Sequence, residues 1–231
     1  MKKHQLNLQI LIFVVFELIL SILVQLTNGT INTIVSFSSI VIAFIFGFIN
    51  LNKYNKFIIL GLFTTVCADI FLVVLEPMKQ NLAMCFFSIT QICYFIYIYV
   101  NQEKTKQRLH IFVRSLIVII ALILTILVLK ENTDFLSLIS LFYYANLIVN
   151  IIFSFIVKKI NIYLIIGLIL FACCDLAIGL SIMSDSYISL KEGSILYFIA
   201  NPGFNLAWIF YVPSQTLIAL SAKKDYKFNN L

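Results

Sequence analysis

Charge is what this sequence has least of. Only 11% of its 231 residues are charged, against 62% hydrophobic, and mean hydropathy is +1.05. A soluble domain of this length would need far more polar surface to stay dispersed, so that class is excluded. Stretches of ~10 residues with alternating polarity are also missing, which excludes an outer-membrane barrel. No CxxC pair and no His/Cys ligand spacing occurs, and the two histidines, His4 and His110, stand at the edges of apolar segments. No metal and no cofactor is therefore expected. The cysteines, Cys67, Cys85, Cys93, Cys173 and Cys174, all fall inside apolar runs rather than exported loops, which argues against disulfides. Behind the opening MKKHQ there is no small-residue cleavage site, so the first apolar run is expected to remain as an anchor.

What the chain does have is long apolar runs. About 20 such residues cross a bilayer core as a helix. Eight spans are expected, at about 9–26, 31–50, 57–75, 82–100, 111–129, 135–157, 162–182 and 194–220. The connections NLNKYNK, EPMKQN and KENTD are short and polar, leaving no room for a separate extramembrane domain. The expected fold is all-α and polytopic, with residues 1–231 forming a single integral membrane domain.

A net charge of +6 raises the question of nucleic acid, but its placement answers otherwise. With the N-terminus inside, one side collects Lys2, Lys3, Lys53, Lys56, Lys104, Lys106, Arg108, Lys158, Lys159, Lys223, Lys224 and Lys227, with Arg114 just within the fifth span. The other side keeps Lys79, Lys130 and Lys191. That asymmetry is the positive-inside rule and puts both termini in the cytoplasm. The expected partner is the lipid bilayer, with no nucleic acid. Abundant Ile, Phe, Lys, Asn and Tyr point to an AT-rich bacterial genome, so the expected location is a bacterial cell membrane.

Against this apolar background two acids stand out. Residues 61–69 read GLFTTVCAD and residues 167–175 read GLILFACCD, so Asp69 and Asp175 close matching phrases four spans apart. An even offset makes the two helices parallel, which is compatible with a four-plus-four internal repeat about an axis along the membrane normal. Each acid lies 12–13 residues from the inner end of its span, roughly 18–20 Å at the α-helical rise. Placing an aspartate near a helix centre disfavours insertion by about 2.5–3.5 kcal/mol, and such residues face the bundle interior. The two are expected to meet in a shared, partly hydrated chamber, although interhelical hydrogen bonding would also explain either acid alone. Residues on single helix faces extend the pattern: Ser88, Gln91 and Tyr94 or Phe95; Tyr143, Asn146 and Asn150; Asn201, Asn205, Trp208, Tyr211 or Val212, and Gln215. Each stripe suits helix packing; together they can line one cavity. Pro202 and Pro213 are expected to bend the last helix. Glu17, in the first span, has no evident partner and fits either packing or the cavity.

Four patches in order give a resemblance. GL-x6-AD-x2-L (Gly61 to Leu72), TQICY (Thr90 to Tyr94), GL-x6-CD-x2-I (Gly167 to Ile178) and Y-x3-Q-x-LIAL (Tyr211 to Leu220) resemble the YhhN-like family, which includes lysoplasmalogenases, eight-span enzymes of the bilayer. The resemblance covers most of the chain from about residue 50. It departs at Ala68, where the family has Gly; at Gln91, ahead of Tyr94, where the family often has His; and around Asp175, flanked by Cys174 and Leu176 instead of serines. It implies a hydrolase that cleaves the vinyl ether of a membrane lysophospholipid, releasing a fatty aldehyde and a glycerophospho-alcohol. That reaction needs an acid to protonate the β-carbon and a carboxylate to face the oxocarbenium ion and orient water. Asp69 and Asp175 are the candidate catalytic pair. Gln91, Tyr94, Asn146, Asn205, Tyr211 and Gln215 are candidate substrate-binding residues. The alternatives are a small proton-coupled transporter, or a catalytically inactive lipid-binding member if the imidazole replaced by Gln91 is essential.

Overall fold

The computed structural model describes residues 3–186 and 191–223. Lys2, Lys224 and Lys227, used above for orientation, lie outside the described residues, as do the two ends of the chain. The regular structure of the described residues is all helical, without a strand: α1 (Lys3–Leu26), α2 (Gly29–Ile49), α3 (Lys56–Asp69), α4 (Gln80–Asn101), α5 (Lys104–Leu129), α6 (Phe135–Ile156), α7 (Ile162–Ser186), α8 (Ile195–Ala200) and α9 (Leu206–Ser221). Among them, seven stretches are long and apolar enough to cross a membrane, and α9 is a shorter apolar helix. Helix is the form such runs take in hydrocarbon, where every backbone N–H and C=O must find a partner within its own segment.

Two of the expected spans are not uniform. The run expected at 194–220 as one bent helix is two helices, α8 and α9, separated at Asn201–Asn205. Pro202 is the reason: it has no N–H to donate and restricts the residue before it, and Gly203 adds freedom where the turn is made. Pro213, by contrast, stays inside α9. In the third span the α-helix ends at Asp69 and continues as one π-helical turn, Ile70–Val74, closed by Leu75 N–H donating to the Ile70 carbonyl.

The helices form a ring. α2 packs on α3, α3 on α4, α4 on α6, α6 on α7, and α7 on α9, which returns to α2 and α3. α1 lies outside against α2 and α9, and α5 lies outside against α6. α9 is thus the closing element. Asn55, between α2 and α3, ties that closure down by donating to the carbonyls of Asn50 and Ala222.

Lipid tails are as apolar as leucine, so close packing and hydrogen bonds hold these helices together. The two GL phrases supply the packing. Gly61 of α3 receives the ring of Tyr94 from α4, so closely that a Cβ there would collide with it. A Cβ on Gly167 of α7 would stand 2.7 Å from Ile218 Cγ1 and 3.1 Å from the Ser214 carbonyl of α9. The Ser214 hydroxyl donates to the Gly167 carbonyl at 2.9 Å across the same contact. Leu168, Phe171, Leu164 and Ile218 are buried around it, whereas Leu109, Phe112, Ile119 and Leu127 of α5 face outward.

Because backbone cannot yield as a side chain can, Gly167→Ala should cost about 1–3 kcal/mol by overpacking. Gly179→Ala, on the same helix with nothing within 4 Å of the new carbon, should be neutral or slightly stabilising. Thermal unfolding in detergent checks both, and equal effects at the two sites would refute the contact.

Candidate active site

Asp69 is the last α-helical residue of α3 and is 1% exposed. Its carboxylate accepts a hydrogen bond from the Tyr211 hydroxyl of α9 at 2.7 Å. Asp175, midway along α7, is half-buried and accepts a short hydrogen bond from the Tyr143 hydroxyl of α6. The two acids therefore do not bond to each other; each is held by its own tyrosine. The tyrosines meet around Phe171, whose ring centroid lies 5.5 Å from that of Tyr211 and 6.2 Å from that of Tyr143. The thiol of Cys174 is within electrostatic reach of both carboxylates, and Tyr143 within reach of Tyr211. Two carboxyl–tyrosine pairs thus flank one aromatic and thiol centre inside the ring.

The partners are not equivalent by position. Asp69 takes its tyrosine from the closing helix α9, and Asp175 takes its tyrosine from α6, the helix before its own. Their surroundings differ as well. Beyond Asp69 the backbone widens into the π-helical turn, with Phe71 stacked on Phe86 at 5.5 Å, whereas α7 runs unbroken past Asp175. Such a turn re-aims the residues beside it and is frequent at functional sites.

Three buried side chains near this centre have polar atoms with no protein partner. Both polar atoms of the Gln215 amide are free, one turn along α9 from Tyr211. The Tyr94 hydroxyl faces Thr65 without a close hydrogen bond, and it lies within electrostatic reach of Tyr143. Gln91 accepts from Asn150 Nδ2 at 3.0 Å through its Oε1, but its Nε2 is unpartnered. A buried polar group left unpaired costs about 1–3 kcal/mol, so each of these marks a place where a polar ligand would be favoured.

Other candidates go elsewhere. Asn146 accepts from Arg114 at 2.6 Å and belongs to a second polar cluster on α5 and α6. Asn205 lies in the α8–α9 break, where its backbone exchanges two hydrogen bonds with the Gln25 amide. It lines a polar pocket of about 430 Å³ with Gln25, Asn28, Asn32 and Pro202. Glu17 is buried and accepts from Ser39 of α2 at 2.6 Å, apart from the two aspartates.

The model of the YhhN family matches residues 31–222. The chain belongs to the YhhN family. Both acids, both tyrosines, α3–α9 and all but the first two residues of α2 lie within the YhhN match, and α1 with Glu17 precedes it. No curated protein and no solved structure matches the chain. Among the described residues no group of three His, Cys, Asp or Glu could hold a metal ion.

Tyr143 is the site residue that sequence reasoning missed. Its place on the Tyr143–Asn146–Asn150 face was visible, but that face pointed equally to packing. Removing either hydroxyl leaves a carboxylate, buried at Asp69 and half-buried at Asp175, short of its donor. Tyr143→Phe and Tyr211→Phe should each lower unfolding stability by about 1–3 kcal/mol. Chemical denaturation in mixed micelles reads this, and wild-type stability in both variants would rule out the two pairs as structural bonds.

Proposed function

We propose that this YhhN-family chain is an integral membrane hydrolase of the lysoplasmalogenase type, crossing the bilayer eight times with both termini in the cytoplasm. The observation that carries this reading is the placing of two carboxyl–tyrosine pairs, one buried and one half-buried, around one centre in helices that are otherwise mostly apolar. Vinyl ether cleavage needs two roles. One group delivers a proton to the β-carbon, and a second faces the resulting oxocarbenium ion and directs water onto it.

The environments divide these roles. Asp175 is the more exposed acid and so the one that water can reach; it is assigned to orient the attacking water, with Tyr143 fixing its carboxylate. Asp69, closed off beside Tyr211, is assigned to pass the proton to the alkenyl carbon. The free polar atoms of Gln215 and Tyr94 offer hydrogen bonds to the glycerol oxygens. Eight crossings require the α8–α9 pair to act as one interrupted span, and the repeated GL phrases support a parallel four-plus-four origin. A proton-coupled transporter is less well supported: in such proteins broken helices occur in corresponding places of both halves, whereas α7 is continuous where α3 changes to a π turn.

The test is release of aldehyde from an alkenyl-lysophospholipid by purified protein, followed with a coupled aldehyde dehydrogenase. Asp69→Asn and Asp175→Asn should each reduce the rate by at least about a hundredfold, the usual scale of general acid–base catalysis. Turnover surviving both substitutions in folded protein would dismiss the mechanism. Solute flux dependent on Asp69, without aldehyde, would favour transport.

A further inference from the structure

The second polar cluster contains an anomaly that the carboxyl–tyrosine pairs do not use. Arg114 lies about ten residues into α5 and is only 8% exposed. Its Nη1 donates to Asn146 Oδ1 at 2.6 Å, and its Nη2 donates to Asn150 Oδ1 and, at 3.2 Å, to His110 Nε2. His110 Nδ1 is bonded in turn to Gln102 Oε1 at 2.8 Å, and the guanidinium lies 4.1 Å over the Phe95 ring. Every one of these partners is neutral. The Lys106–Glu103 ion pair lies on the surface and does not involve Arg114. A buried charge met only by neutral dipoles is costly, and the cost falls sharply when a counter-ion arrives.

Hydrogen-bond counting gives the same answer independently. Arg114 Nε–H has no acceptor, and neither does Nε2 of the fully buried Gln91, which Asn150 links to the same cluster. Donors are left over, acceptors are not, and the net charge is positive. We propose that Arg114 and Gln91 form a binding site for a phosphate-type oxyanion, the phosphodiester of the lipid substrate. A guanidinium N–H makes a charge-assisted hydrogen bond to a phosphate oxygen, and here the Nε–H is the donor left to make it.

This assignment rests on the hydrolase reading for the identity of the lipid, and its geometry fits one molecule. Tyr143, which holds Asp175, and Asn146, which holds Arg114, are three residues apart on α6, a rise of ~4.5 Å, and Asn150 is ~6 Å further. The cation therefore sits below the acids by about the length of a glycerol backbone. It lies toward the end of the bundle that carries Lys104, Lys106 and Arg108. The headgroup would point to that end, which makes the leaflet on that side the source of substrate. Access is lateral: α5 packs chiefly on α6, and its buried residues are His110, Arg114 and Thr125, so its inner face is polar and lightly held.

The experiment measures binding without turnover, by titration calorimetry of the full chain in uncharged detergent. The probes are a saturated 1-O-alkyl-lysophosphatidylcholine, which cannot be cleaved, a 1-O-alkylglycerol of the same chain length, and inorganic phosphate. Wild type should bind the phospholipid at least about tenfold more tightly than the alkylglycerol, the scale of one charge-assisted contact. Arg114→Gln should erase that margin while leaving alkylglycerol binding intact. Asn146→Asp, which gives the guanidinium an internal counter-ion and so should fold, should erase it too. Competition by inorganic phosphate would mean that the site accepts free oxyanion; its absence would tie recognition to the lipid headgroup, and either supports the site. Equal affinity for the two lipids in wild type, or a margin that survives both variants, overturns it. Aldehyde release without the margin would sink this inference alone, and the margin without aldehyde release would sink the hydrolase reading alone.

Discussion

The hydrogen bond from Tyr211 to Asp69 joins the first part of this bundle to its last helix, and much else depends on it. A carboxyl inside a membrane-crossing helix has no solvent to satisfy it, so the fold must bring it a donor. That donor comes from α9, and α9 can reach α3 only because Gly167 lets it lie almost backbone to backbone against α7. Packing and polarity are therefore one arrangement: the glycine of one GL phrase positions the helix that satisfies the acid of the other.

The coarse architecture was legible because hydrocarbon imposes it. Runs of Ile, Leu and Phe long enough to cross can be read directly, and the structure is an all-helical set of such runs. The α8–α9 break was half legible. Pro202 was visible as a disturbance, but whether a proline bends or divides a helix depends on what takes up the freed backbone, here the Gln25 amide from the far end of the chain. The π-helical turn after Asp69 left no signal, since IFLVV is an unremarkable apolar string.

The site was legible in its residues and not in its pairings. Matched phrases exposed Asp69 and Asp175, yet nothing in spacing says that one meets Tyr211 and the other Tyr143. The partners of Arg114 were hidden for a physical reason. A basic residue near a span's end normally extends to the headgroups, so it reads as a topology marker. Here the side chain turns inward, because Asn146 and Asn150 of α6 offer it acceptors that no linear pattern on α5 could reveal.

The order in which the helices are made gives the α3–α9 contact a further consequence. Asp69 is synthesised 142 residues ahead of Tyr211, so for most of biogenesis it sits in the translocon or the lipid without its eventual donor. The nascent bundle must carry that exposed acid, sheltered by water or by the insertion machinery, until the closing helix arrives. A ribosome stalled before α9 would therefore leave a chain that is inserted but open, with a carboxyl meant for burial available to any quality-control factor that surveys the membrane for unsatisfied polar groups.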